Sequence, residues 1–423
     1  MARLLTIMLL CCMASLSVAQ NTADASFVTI SGTVKDKDSK KSLGNVSISL
    51  DATHIATVSN NDGTFSLTIP MTSANGKIKA EQLGYFSRTI SLPDLPANGK
   101  DITILMTSSA KMLKEVVVRS GKPDEIVAEA LKKIPVNYSH DKNLFTAFYR
   151  ETVQKGKRYI GVSEAIVDVF KTPYTRRMNN GERVQIKKGR RLISQNNRDT
   201  LSVKIVGGPT LPVIIDFVKN RDFLFGYDDL AYYHFEMEGP VSIDDRMQYV
   251  IRFTPKVKLD YALCHGLLYI DQETLSFSKA EFELDMSDRS KATNAILRKK
   301  PRGLHFKPQE VAFTVTYRLD EGVSYLNYIK TKTRFKCDWK RRLFSSGYTT
   351  YAEMVMVDRV DDPEEGISRK LAFGNNDIFY DAVTDYWDAD FWKGYNIIEP
   401  TESLDKAVIK LKKNNATVMA LYP

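Results

Sequence analysis

From Phe27 to Met106 the chain is cut into short runs that alternate apolar and polar residues: FVTISGTVKD, VSISLDA, TVSN, TFSLTIP, KIKAEQLGY, RTISL and ITILM. Turn residues separate them at intervals of about 8–12 positions, the spacing of a small β-sandwich. In TFSLTIP, Phe65, Leu67 and Ile69 fall on one face, and Thr64, Ser66 and Thr68 on the other. The preceding Asn61-Asp62-Gly63 tolerates the positive φ of a tight turn and reads as a hairpin.

A different period follows. In KPDEIVAEALKKIP (122–135), Ile126, Val127, Ala130, Leu131 and Ile134 form one stripe between an Asp124 cap and Pro135, which predicts a short helix. Beyond it, long alternating runs return, including FTAFYRETVQ, YIGVSEAIVDVF, MQYVIRFTP, SFSKAEFELDM, EVAFTVTYRL and YAEMVMVDRV. In SKAEFELDM, Ala280, Phe282, Leu284 and Met286 oppose Lys279, Glu281, Glu283 and Asp285. This predicts a large antiparallel sheet with one covered and one wet face. TLPVIIDFVKN (210–220) and TESLDKAVIKLKKNN (401–415) read as amphipathic helices that cover the apolar side, the latter through Leu404, Val408 and Leu411. The expected fold is mainly β: a sandwich over 27–107, a linker and short helix over 108–135, and an antiparallel domain with covering helices over 136–423.

The first residues change the setting. MARLLTIMLLCCMASLSVAQ has an early Arg3, an apolar run and small residues before Ala19-Gln20, the order of a cleaved secretory signal. Leu10 before Cys11 does not suit a lipoprotein cleavage site. No later stretch is long and apolar enough to span a bilayer. An exported chain of 423 residues with net charge +9 is not expected to meet nucleic acid. Its basic excess is clustered: RRMNNGERVQIKKGRR (176–191) holds Arg176, Arg177, Lys187, Lys188, Arg190 and Arg191, with RKKPR (298–302) and KRR (340–342) adding to it. Such residues form either solvated strand ends or a surface for anionic head groups. Removal of the signal leaves Cys264 and Cys337, which make either one disulfide or two separate buried thiols.

ISGTVKDKDSKKSLGNVSISL, TVSNNDGTFSLTIP and LGYFSRTISL together resemble the carboxypeptidase-regulatory-like domain, with Gly32, Gly44, Asn61-Asp62-Gly63, Phe65 and Gly84-Tyr85 in order. The resemblance implies a transthyretin-like sandwich of the kind found at the N-termini of exported Bacteroidetes proteins. LKEVVVRSG (113–121) looks like the segment that follows it in TonB-dependent receptors, but residues 136–423 are too few for a receptor's 22-stranded barrel. NLFTAFYRETVQKGKRYIGVSEAIVDVFKTPY and DYWDADFWKGYNIIEPTESLDKAVIKL are similar to Bacteroidetes envelope proteins of unknown function, and GLLYIDQETLSFSKAEFEL to the strands of lipoprotein-carrier half-barrels. The last of these likenesses implies a curved antiparallel sheet that wraps a helix around an apolar cavity.

Catalytic patterns are absent. His54, His140, His234, His265 and His305 are scattered, and neither HxxE nor HExxH occurs, so no zinc peptidase site is expected. No G-x-S-x-G elbow or Gly-x-x-x-x-Gly-Lys loop occurs either. NNDIFYDAVTDYWDADFWKGYN (375–396) interleaves rings, among them Tyr386, Trp387 and Trp392, with aspartates. It suits a sheet edge with its rings in the core, or a glycan or calcium site. In FYRETV (148–153), Phe148 and Arg150 share a face, so Arg150 either packs on Phe148 or reaches inward to an anionic ligand. Without catalytic, cofactor or metal residues to name, the expectation is a non-enzymatic envelope protein that binds a protein, glycan or lipid partner. The alternative is a peptide or glycan hydrolase using Asp and Glu residues of 375–402.

Overall fold

The computed structural model describes residues 27–421 except 97, 110–120, 177–180, 195, 197–198, 200, 202, 227–228, 341–344, 375–376 and 388–393. The signal segment with Ala19 and Gln20, most of LKEVVVRSG, and Arg177 and Trp392 therefore lie outside the described residues. Among the described residues the protein is mainly β, with few helices.

Seven strands build the first layer pair: β1 (Phe27–Asp36), β2 (Ser47–Leu50), β3 (Ala56–Val58), β4 (Thr64–Pro70), β5 (Lys77–Glu81), β6 (Arg88–Ser91) and β7 (Ile102–Met106). They form two sheets, β4-β1-β7 and β3-β2-β5-β6, which close on Val34, Val46, Ile48, Phe65, Leu67, Ile69 and their neighbours. The alternation in TFSLTIP holds, with Phe65, Leu67 and Ile69 buried. The Asn61-Asp62-Gly63 turn is real but makes no hairpin. It carries the chain from β3 in one sheet to β4 in the other. Turn chemistry fixes the reversal, whereas strand partners are fixed by the faces that must be buried. Gly63 has φ +78°, and a Cβ there would meet the Val34 carbonyl oxygen at 2.7 Å.

The helices Pro123–Lys132 and Ile134–Asn137 then lead into the larger region. Its strands are β8 (Asn143–Lys155), β9 (Arg158–Lys171), β10 (Arg183–Ile193), β11 (Lys204–Ile205), β12 (Tyr233–Met237), β13 (Val241–Ile243), β14 (Arg246–Pro255), β15 (Cys264–Asp271), β16 (Phe277–Leu284), β17 (Leu297–Lys299), β18 (Leu304–Asp320), β19 (Val323–Trp339) and β20 (Ser346–Asp361). Eleven of them form one antiparallel sheet in the order β10-β9-β8-β20-β19-β18-β16-β15-β14-β12, with β13 beside β14; β11 and β17 pair separately.

One face of this sheet is filled rather than hollow. Tyr149, Phe253, Phe277, Phe282 and Phe313 pack with Leu131, Ile215, Phe217, Phe225 and Ile296 from the covering segments. Phe217 meets Phe277 edge-on at 5.2 Å, and Phe282 stacks on Phe313 at 5.1 Å. Each fully buried ring contributes about 1.5–3 kcal/mol, so aromatic side chains occupy this face in place of the expected apolar cavity.

Two further expectations change. The predicted helix over 210–220 is helical only over Thr210–Ile215. It stops because Asp216 is drawn into the core, where its carboxylate pairs with Lys171 and accepts from Tyr174 Oη (2.8 Å) and Tyr317 Oη (2.6 Å). The C-terminal helix Glu402–Leu421 does use Leu404, Val408 and Leu411, but they pack on Val162 and Leu192. Val162 alternates out of phase with the core-facing Ala165 and Val167 of β9, so the helix covers the opposite face of the sheet. Over β8, β9 and the adjoining parts of β19 and β20 the second face is covered as well, because the sandwich also docks there, while Arg334 and Lys336 of β19 stay exposed. Cys264 and Cys337 are free buried thiols in separate core clusters, not a disulfide.

Candidate functional site at the sandwich–sheet junction

Five directly opposed residues on five neighbouring strands alternate in charge across the docked face. Arg190 on β10 faces Glu164 on β9, Glu164 faces Arg150 on β8, Arg150 faces Glu353 on β20, and Glu353 faces Lys330 on β19. The pairing is close. Glu164 accepts from Arg150 Nε at 2.7 Å and from Arg190 Nε at 2.6 Å, Lys330 Nζ lies 3.3 Å from Glu353, and Tyr328 Oη donates to Glu353 at 2.8 Å. Arg150 is 3% exposed, lies 4.9 Å from the centre of the Phe148 ring, and donates to the Ile398 carbonyl at 2.7 Å.

Burial alone would push both glutamates up. For Glu164 the charges of Arg150 and Arg190 outweigh it, and for Glu353 those of Lys330 and Arg150 do, so both stay below the ordinary glutamate range. Opposed charges of this kind offset part of their own desolvation.

The segment from Asn396 to Glu402 lies between this ladder and the sandwich. Asn396 exchanges two hydrogen bonds with the backbone of Thr68 (2.6 and 3.0 Å), and Thr57 Oγ1 donates to the Ile397 carbonyl at 2.9 Å. Asn60 Nδ2 donates to the carbonyls of Glu399 (3.2 Å) and Pro400 (2.9 Å), while its Oδ1 accepts from the N–H groups of Asp62 and Thr64. Asp62 accepts from Glu402 N at 2.7 Å, so a turn of the sandwich caps the C-terminal helix. Val58 and Ile398 pack with Phe148, Ile166, Tyr328, Val355 and Val357.

Two further clasps hold the sandwich. His54 lies 3.1 Å from Asp320 and 3.5 Å from Asp361. Lys79 bridges Glu81 and Asp244, and Ser87 Oγ donates to Asp245 at 2.5 Å.

These elements leave a polar cavity of about 220 Å³. Asn45, Asn60, Asn61 and Asp62 form one wall; Arg150, Tyr328, Lys330, Tyr351 and Glu353 belong to the sheet; Glu399, Thr401 and Ser403 complete it. Burial holds the Glu399 carboxyl above its ordinary range, with partial relief from Ser66 and Arg150. The site therefore has one carboxyl shifted up and another shifted down, between two cations that already have partners. Its chemistry is that of hydrogen-bond exchange with a small polar group.

The basic run is divided by strand alternation. Arg190 is in the ladder. Lys187 pairs with Asp168 at 3.2 Å, Lys188 lies over the Tyr395 ring, and Arg191 donates to the Tyr380 carbonyl and covers that residue's ring. Arg176 is exposed. Tyr386 and Trp387 are exposed beside β10, where Trp387 bridges to Gly189. Of the acidic stretch 375–402, Glu399 reaches the cavity, whereas Asp377 caps a local turn and Asp381 pairs with Lys204. Sequence pattern alone does not mark Glu164, Lys330, Glu353 and Asn60 as one site. Their signal is a polar residue interrupting an apolar run, as Glu164 does in YIGVSEAIVDVF.

Among the described residues, no three His, Cys, Asp or Glu side chains gather to hold a metal, and no helix is long and apolar enough to cross a membrane.

Residues 30–118 match the CarboxypepD_reg-like domain family. The match lies over the N-terminal sandwich. No curated protein matches the chain by sequence. Among solved structures, a DUF1329 family protein from Desulfovibrio piger is similar at 14% identity and TM-score 0.25, covering 59% of this chain and 96% of its own. A putative outer membrane lipoprotein-sorting protein domain from Vibrio parahaemolyticus is similar at 12% identity and TM-score 0.26, over 59% and 94%. MucB in complex with MucA(peri) is similar at 12% identity and TM-score 0.17, over 57% and 99%. Scores at this level carry no functional assignment.

Proposed function

We propose that the chain is an exported envelope protein that acts by binding a protein, glycan or lipid partner at or near the outer membrane, not by catalysis. In this reading residues 1–19 are the signal, 27–107 the adaptor, 108–135 the linker and 136–423 the binding domain. One observation carries it: the docked sandwich completes a polar cavity whose charges already compensate one another. The filled aromatic face of the sheet supports a polar partner over an acyl chain enclosed in the sheet.

Thermal unfolding of the purified chain with fractionated envelope material tests this. A ligand at a hundredfold excess over its Kd adds about 2.7 kcal/mol of stability, which reads as a raised Tm. The proposal fails if an envelope polymer is cleaved and Glu399→Gln abolishes the cleavage. That outcome belongs to a second reading, a hydrolase, which is favoured by the opposite shifts of Glu399 and Glu353 in one cavity.

A further inference from the structure

We infer that the junction cavity holds a neutral saccharide, the end unit of a glycan chain; this rests on the binding reading above and names its ligand class. The lining decides the charge of the occupant. Arg150 and Lys330 are the cations, and Asp62, Glu353 and Glu399 are the carboxyls. Arg150 is committed to Glu164 and the Ile398 carbonyl, and Lys330 to Glu353. A phosphate or sulfate entering here would meet more carboxyls than cations, and both cations already pair with carboxylates that repel it.

Neutral hydroxyl groups fit instead. Asn45, Asn61, Gln154, Thr152, Thr401 and Ser403 offer amides and hydroxyls that both donate and accept, which is the mixture a ring of hydroxyls requires. Tyr159 and Tyr351 add two rings, apolar on their faces and polar at their tips, while the Tyr328 ring is buried and its hydroxyl already donates to Glu353. The volume of about 220 Å³ lies below the roughly 300–1,000 Å³ of pockets for drug-sized ligands, so one sugar unit is held and the remainder of the chain leaves through the mouth. Asn61 and Ser403 are exposed and mark that mouth.

Calorimetric titration of the full chain from residue 20 with N-acetylglucosamine, diacetylchitobiose, mannobiose and maltose provides the test. At least one is expected to bind, with affinity changing less than about twofold between about 0.05 and 0.5 M salt, because no net charge is exchanged. Asn61→Ala and Ser403→Ala, at exposed positions that leave the fold intact, should each weaken binding about fivefold, and Tyr351→Ala about tenfold or more. Saccharide binding that none of the three alters overturns the inference. So does a folded chain that binds none of the sugars, including one that takes up a peptide or inorganic phosphate in the same cavity, although that last result would leave the binding reading standing. Cleavage of a bound sugar would remove the non-enzymatic reading and keep the saccharide site.

Discussion

Asn60→Ala is the most informative single change at the junction. Asn60 is 5% exposed, and its side chain makes four hydrogen bonds. Two hold the turn before β4, and two hold the Glu399–Pro400 carbonyls to the sandwich. Each bond contributes a net ~0.5–1.5 kcal/mol, and losing a buried donor leaves its carbonyl partners without a hydrogen. The substitution should therefore cost about 2–4 kcal/mol, since water reaches part of the vacated space. Asn61→Ala, one residue away and exposed, should stay within ~0.5 kcal/mol. Urea denaturation followed by tryptophan fluorescence and far-ultraviolet dichroism compares the two. Limited proteolysis of the 396–402 segment should quicken in Asn60→Ala alone. Equal midpoints for the two variants would refute the reasoning, because the junction would then not depend on the side chain that touches both units.

Three further outcomes are expected. Glu164→Gln leaves Arg150 and Arg190 facing an amide in a buried ladder and should cost about 3–5 kcal/mol; a loss below ~1 kcal/mol by denaturation would show that the pairs are solvated. Gly266→Ala would bring a Cβ within 2.1 Å of the Glu281 carbonyl oxygen and 2.5 Å of Phe282 Cα, so β15 and β16 must part at a cost of ~1–3 kcal/mol, read as a lowered melting temperature. Glu81, pushed up to about 7 by burial and Asp244 against the pull of Lys79, holds its proton more firmly when folded than its ordinary 4.5. Its contribution is full below pH 4.5 and is lost as pH rises through about 7. Stability should decline over that window, with Arg318 also nearby, and Glu81→Gln should flatten the decline in melts taken at each pH.

Local pattern made much of this legible. Phe65, Leu67 and Ile69, Ala280, Phe282 and Leu284, and the Leu404–Val408–Leu411 stripe are buried where their periods put them. The mainly β class follows from the same alternation. What periodicity lacks is partnership. Asn61-Asp62-Gly63 specifies a reversal but not which sheets it joins. The Thr210 helix ends where Asp216 finds Lys171, Tyr174 and Tyr317, which are distant in sequence. The ladder is less visible still, because Arg150 meets Glu353 only after the intervening strands have chosen their neighbours. Charge clustering carries no placement either: within residues 187–191 Arg190 enters a buried pair, Lys187 pairs with Asp168 at an exposed position, and Lys188 and Arg191 lie over ring faces.

The clamp formed by residues 396–402 has a consequence for how the molecule matures. Asn60 and Asp62 meet partners about 340 positions later in the chain, so their union is among the most distant closures in the polypeptide and is entropically late. A chain delivered from its amino end meets the earlier clasps first, at Asp244, Asp245 and Asp320. The clasp at 396–402 closes last, and the cavity's third wall comes into being at that same moment.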